Sequence, residues 1–245
     1  MKKAITFSIL ILSVIVISYK IYTTPQNFEC KLIRHENELS NLSNHQILYM
    51  RDAAKSLLAY QNTKNVITEV QKGAKVIKSY AHYPKGDVLD KATHYQYYYH
   101  SHRNKEHGHF HTFYMPSDEN ENFSHLIAIS LDKWGKAIKL FTVNQWVTAE
   151  KWRQSEELLP KVQQFKVNKH SYSSINEWIN PFFILFEPQI SLLISNRDKV
   201  ISELMLKEPL ILKNSHLDEI TAMEISFETQ ISWLKAECAK RQLEW

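Results

Sequence analysis

The stretch YYYHSHRNKEHGHFHTF, residues 97–113, holds five histidines, three tyrosines, a glutamate and an arginine within seventeen positions. Aromatic and β-branched residues favour strands. Two such textures, THYQYYYH (93–100) and HGHFHTFYM (107–115), are separated by the polar run Arg103-Asn104-Lys105-Glu106. The pattern predicts a β-hairpin. FSHLIAISLD (123–132) and KAIKLFTVNQWV (136–147) follow as third and fourth strands behind the short links PSDENEN and KWG. Consecutive strands joined by short links form an antiparallel meander.

Helices are expected on both sides of this meander. Between Asn44 and Tyr60, Ile47, Met50, Ala54, Leu57 and Leu58 recur at three- and four-residue spacings, the period of an amphipathic helix. A second short helix is expected over Val66 to Gly73, with Gly73 as its cap. HYPKGDVLD (82–90) carries Pro84 and Gly86 and reads as a turn. Beyond Thr148, Pro160 is placed near the start of a helix. Ser174 and Glu177 have capping-box spacing, which predicts a helix start at Ser174. Pro181 and Pro188 are expected to kink or divide the helical stretch that begins there. FFILF and ISLLIS are apolar but too short to cross a bilayer, so they read as core helices. A last helix is expected from about Ile225 to Leu243. The fold class is α+β: a four-stranded antiparallel meander flanked by N- and C-terminal helices, behind an N-terminal hydrophobic anchor.

That anchor is read from residues 1–24. Met1-Lys2-Lys3 precedes an apolar run from Ala4 to Ile17 that extends to Tyr22, and Pro25 ends it. About 19 such residues just span a bilayer, and Lys2 and Lys3 favour a cytoplasmic N-terminus. A secretory signal peptide is the alternative. Residues 28–245 then form a single α+β domain facing the periplasm or the exterior, carried by a single-pass inner-membrane helix or secreted after cleavage. Cys30 and Cys238 could pair in an oxidising compartment; two independent thiols are the other option.

With 245 residues and 44% hydrophobic content, the chain can bury one sizeable core. The net charge of +4 is dispersed without a basic block, so no nucleic-acid partner is expected. The chain has four glycines, and neither G-x-G-x-x-G nor the Walker pattern occurs. G-x-S-x-G and H-E-x-x-H are also missing, which removes support for several large enzyme classes.

What remains is the hairpin, which lies among seven of the twelve histidines, between His94 and His125. Residues two apart on a strand share a face. His100 and His102 form one such set, and His107, His109 and His111 the other. A four-residue loop, Arg103–Glu106, would oppose His102 to His107, His100 to His109 and Tyr98 to His111. A five-residue loop would put the two sets on opposite faces. His100, His102, His107, His109 and His111 are therefore the candidate metal ligands, with zinc the expected divalent ion. His107 and His111 lie roughly 13 Å apart along a strand, too far to share one ion. Glu106 is the candidate catalytic residue, as a general base or as a carboxylate orienting a ligand histidine. Tyr97, Tyr99 and Arg103 are candidates for ligand binding. So are Asn144 and Trp146, expected on one face of the fourth strand, where they could orient a substrate and wall a pocket. The alternative is a metal-free hairpin held by tyrosine–histidine hydrogen bonds, or a pH-sensitive surface.

Together HYPKGDV, QYYYHSHR, EHGHFHTF, HLIAIS-D and LFT-N-WVT resemble a bacterial domain family described only as of unknown function. The resemblance runs from about residue 45 to past 200. It implies a site at His82, Tyr97, Tyr98, Tyr99, His100, His102, Arg103, Glu106, His107, Gly108, His109, His111, Asn144 and Trp146, and it implies no activity. The residues themselves suggest a metal-dependent hydrolase or lyase acting outside the cytoplasm, with His100, His102 and His109 holding the ion and Glu106 handling a proton. The alternative is a non-catalytic envelope module that captures a metal or small ligand, and the third option is a structural envelope protein.

Overall fold

The computed structural model describes residues 29–32, 41–72, 74, 76–116 and 123–245. The expected anchor over residues 1–24 lies outside the described residues, as does the expected cap Gly73. The strands are β1 (Lys31–Leu32), β2 (Tyr83–Asp90), β3 (Tyr95–His100), β4 (Gly108–Tyr114), β5 (Ser124–Leu131), β6 (Ala137–Val143) and β7 (Glu219–Glu224). The helices are α1 (Asn44–Thr63), α2 (Val66–Val70), α3 (Gln145–Thr148), α4 (Ser155–Gln163), α5 (Ser173–Leu185), α6 (Glu187–Met205) and α7 (Phe227–Lys240). The strands form one sheet in the order β1-β7-β6-β5-β4-β3-β2. Every neighbouring pair is antiparallel except the short β1, which runs parallel to β7.

The meander β3–β6 is therefore the middle of a larger sheet, and the four-strand expectation is corrected at both ends. β2 occupies the segment read as a turn. Its pairing with β3 is interrupted between Tyr83 and Val88, and Pro84, Lys85 and Gly86 fall inside that irregularity. A proline without an N–H and a glycine at φ 87° are tolerated because β2 is an edge strand. At the other side β7 returns after α6 and pairs with β6, so its partner lies some 80 residues earlier in the chain.

Alternation along β3 builds the core. Tyr95, Tyr97 and Tyr99 point to one face, where Tyr95 donates to the Lys161 carbonyl of α4 and Tyr97 to Asn176 Oδ1 of α5, each at 2.8 Å. Phe110 of β4 continues that face and stacks on Trp178 of α5 at 5.5 Å. Ile47, Leu57, Ile179, Phe182, Phe186 and Ile190 close the helical layer over it. Each fully buried aromatic or aliphatic side chain there contributes about 1.5–3 kcal/mol.

Several helix boundaries differ from the sequence expectation for local reasons. α5 starts at Ser173 with Tyr172 at its N-cap, so Ser174 lies inside the helix and no side-chain cap forms, and the Glu177 carboxylate pairs with Lys64 at the end of α1. Pro181 lies within α5, and the break falls after it, at Phe186. α6 then leaves at 69°, with Pro188 in its first turn. Pro160 lies inside α4 rather than at its start. FFILF and ISLLIS are core helices: Phe183, Leu185, Leu193 and Ile194 are buried. Among the described residues no single helix is long and apolar enough to cross a membrane. Cys30 and Cys238 are both free thiols. Cys238 packs in the helical core, while Cys30 packs with Phe141 and Ala222 on the other side of the sheet.

Candidate metal centre

The face of the sheet opposite the helices carries the histidines. Tyr98 and His100 of β3 point there, opposite His111 and His109 of β4. This is the parity of an even loop. The strands nevertheless end at His100 and resume at Gly108, so residues 101–107 form the connection. Gly108 is required at that point. A Cβ there would stand 2.5 Å from the His100 carbonyl oxygen and 2.5 Å from the Tyr99 hydroxyl.

Three rings converge. One nitrogen from each of His100, His109 and His111 lies within 4.8 Å of the others. His100 Nε2 is 2.6 Å from His109 Nε2. The far nitrogens of two of these rings are engaged: His109 Nδ1 donates to Glu106, and His111 Nδ1 is 2.9 Å from His125 Nε2. Because His109 spends its Nδ1–H on Glu106, its Nε2 is the acceptor and His100 Nε2–H the donor. His109 and His111 are buried, at 0% and 2% exposure, and His100 sits at the rim with 9%.

The electrostatics keep these rings neutral. Burial, reinforced by the positive charge of His109, His102, His82 and Arg103, brings the pKa of His100 down to about 2. Burial and then Arg197 and His109 bring His125 to about 3. Burial, then the neighbouring rings, hold His111 well below its ordinary value. Burial also lowers His109, against the pull of Glu106. Glu106 moves the other way from a buried acid. Burial raises it, but the His109 hydrogen bond and charge, the nearby Ser130 hydroxyl and Arg103 outweigh that and bring it to about 2. Neutral imidazoles, one of them braced by a carboxylate, are the state a metal requires. Neighbouring nitrogens around a tetrahedral ion stand roughly 3.3 Å apart for bonds of about 2.05 Å. His100 and His109 would separate by less than about 1 Å to take one.

The remaining sequence candidates divide. His102 lies beyond the end of β3, stacked on Tyr80 at 4.8 Å and edge-on to His100 and His109 at 4.7 and 5.0 Å. His107 precedes β4, and its Nδ1 meets the Tyr99 hydroxyl at 2.7 Å on the helix side of the sheet. It is not brought to the cluster. Tyr97 and Tyr99 also face the helices. Arg103 bonds Glu219 and lies 4.5 Å over the Phe141 ring. The fourth strand stops at Val143, so Asn144 and Trp146 do not share a strand face. Asn144 caps α3 and donates to the Ile211 carbonyl, and the Trp146 indole donates to the Leu217 carbonyl.

Four residues join the site that were not singled out as ligands. Tyr98 lies 5.3 Å from both His100 and His111, and His82 stacks on Tyr98 at 3.7 Å. His125 braces His111, and Ser130 sits opposite His109. Tyr98 was legible from parity with His100. His125 lies beyond a register shift between β4 and β5, which hides its face from simple alternation.

Fold and site define an α+β protein with a three-histidine cluster that could hold a metal ion on the non-helical face of an antiparallel-rich sheet. The profile of a protein family described as "Domain of unknown function (DUF6969)" matches residues 50–237, and the chain belongs to that family. No curated protein and no solved structure matches the chain.

Proposed function

We propose that the protein binds one divalent metal ion through His100, His109 and His111 and uses it as a metal-dependent hydrolase or lyase. The observation that carries this is the convergence of three neutral imidazole nitrogens within 4.8 Å, with Glu106 on the far nitrogen of His109. All-imidazole sites suit zinc, with copper, nickel and iron as alternatives. The ion would supply Lewis acidity. Glu106 fixes the tautomer and orientation of His109, and His125 does so for His111. His102 stands at the rim, next to two of the three rings, where it is placed to exchange a proton with a bound substrate. A non-catalytic binding module is the second reading, favoured by the depth of His109 and His111. His102 joining as a fourth ligand would close the shell and favour it. Residues 1–24 remain a membrane anchor in this reading, on the strength of the apolar run behind Lys2 and Lys3; carbonate extraction of membranes decides that part.

The test is metal content of the purified full chain by mass spectrometry, beside His100→Asn/His111→Asn. About one ion per wild-type chain and none in the variant are expected. Far-UV circular dichroism shows whether the variant keeps its fold. No ion in the wild type, with melting unchanged by added zinc, would sink the proposal.

A further inference from the structure

The end of the sheet where β7 begins carries an exposed apolar patch. α6 ends at Met205, and the chain passes through a 3-10 turn, Ile211–Lys213, before β7 starts at Glu219. On this connection Leu206 is 87% exposed, Leu210 66% and Met205 38%. Trp146 of α3 is also 38% exposed. Val143 pairs with Glu219, so α3, which follows β6, lies at the same end. There the Trp146 indole donates to the Leu217 carbonyl and Asn144 to the Ile211 carbonyl, each at 2.8 Å. Single exposed apolar side chains are ordinary on a protein surface. Here four of the eight large apolar side chains exposed among the described residues gather at one end of the sheet.

The backbone holds these leucines outward. The Lys207 and Glu208 N–H groups donate to the Leu204 carbonyl at 3.0 and 2.9 Å, Ile211 to the Glu208 carbonyl at 3.0 Å, and Lys213 to the Leu210 carbonyl at 2.8 Å. Leu204 and Leu212 pack against Ile211, Leu217 and Ile220, which fixes the connection from the inside. Charge does not select a partner for this surface. The formal charges of residues 205–218 are Lys207, Lys213, Glu208 and Asp218, and they cancel. What the patch offers is apolar area to be removed from water.

The described chain also enters the fold at this end. β1 runs parallel to β7 with Lys31 beside Thr221, so Cys30, just before it, lies alongside the start of β7 and lines one cleft with Asp218 and Glu219. The apolar run read as an anchor ends at Tyr22, nine positions before Lys31. Nine residues reach at most about 30 Å. A globule of about 200 residues has a radius of gyration of about 17 Å and is about 43 Å across. With an anchor in place, a tether shorter than the domain keeps the β1 end toward the bilayer. We infer that Leu206 and Leu210, with Trp146 at the same end, dock on the lipid surface and orient the domain. The leucines would enter the acyl boundary and the indole would sit at headgroup level. The hairpin connection 101–107 lies at the other end, since Gly108 pairs with Leu131 and Leu131 with Ala137. Docking therefore turns the rim of the histidine centre toward water. The choice of lipid over protein rests on the anchor reading of residues 1–24; the apolar exposure does not.

The experiment uses the full chain in phosphatidylcholine vesicles, with a nitroxide on Leu206→Cys, Leu210→Cys or Trp134→Cys, each in a Cys30→Ser/Cys238→Ala background. Circular dichroism confirms the fold of each variant. Collisions of the nitroxide with oxygen, which partitions into lipid, are compared with those of a water-soluble nickel chelate. Oxygen should dominate at Leu206→Cys and Leu210→Cys. The chelate should dominate at Trp134→Cys, a position 64% exposed in the β5–β6 turn at the other end of the sheet. Chelate dominance at all three positions overturns the inference, and so does lipid contact at Trp134→Cys. Shielding of Leu206→Cys and Leu210→Cys from both reagents would mean that protein, a second copy included, covers the patch, and that also overturns it. Carbonate extraction of the same vesicles keeps the two readings apart. Resistant protein with chelate dominance retains the anchor and removes the docking surface; lipid contact in protein that carbonate releases removes the anchor and leaves the surface.

Discussion

Glu106→Gln separates three roles that one carboxylate can play at this site. The change keeps the side chain's size and an oxygen acceptor for His109 Nδ1–H, and removes the charge. The contact is buried, with 6% exposure at Glu106 and none at His109, so water offers little substitute. The carboxyl sits at about 2, well below its ordinary 4.5, because its ionised form is held by His109, Ser130 and Arg103. A carboxylate that braces a ligand histidine is worth about 10–100-fold in metal affinity, or about 1.4–2.7 kcal/mol. The loss should therefore fall in that window, with the stoichiometry unchanged. The assay is competition for zinc against a chromogenic chelator on full-length protein stripped of metal. A direct ligand would lose far more than 100-fold, and the stoichiometry would fall. A residue acting only as a base would leave affinity unchanged, and that result would refute the orienting role.

Acid should destabilise the metal-free protein early. His100 and His125 have folded pKa values of about 2 and 3, below the ordinary 6.5, so the unfolded chain takes up protons first as pH falls. Their stabilising contribution is complete above pH 6.5 and declines below it, through the window down to their folded values. At about 1.4 kcal/mol per pH unit each, the two together cost about 3 kcal/mol between pH 7.5 and 5.5. Urea unfolding at the two pH values measures this, and an unchanged midpoint would show that these rings are not buried neutral. Gly108→Ala should cost about 1–3 kcal/mol by overpacking, since its Cβ would meet the His100 carbonyl and the Tyr99 ring. Because that clash lies at the base of the hairpin, metal affinity should fall with stability; a stable variant with full affinity would contradict the geometry.

How much was legible in the sequence depends on which contacts are local. Two-residue alternation in YQYYYH alone assigns Tyr97 and Tyr99 to one face and Tyr98 and His100 to the other, because neighbouring side chains on a strand must diverge. Even parity at the hairpin then brings His100 to His109 and Tyr98 to His111, as the register shows. Alternation fails one residue before β4 begins. His107 has the parity of His109 but lies outside the ladder, so its ring is free to turn to the Tyr99 hydroxyl. The same limit hides His125, past a register shift, and Asn144, one residue beyond the end of β6. Non-local pairing hides more. Nothing near ITAME announces that it will close the sheet against β6, and the Pro84–Gly86 segment is a strand because it lies at an edge, a position assigned by the whole topology. The ion pairs beside the histidine centre depend on that late arrival. Glu219 enters on β7 and draws Arg103 and Lys139 onto Phe141 from two different elements. A loop arginine given as a ligand-binding candidate in the sequence thus becomes a paired, fixed charge in the fold, close to the histidine centre.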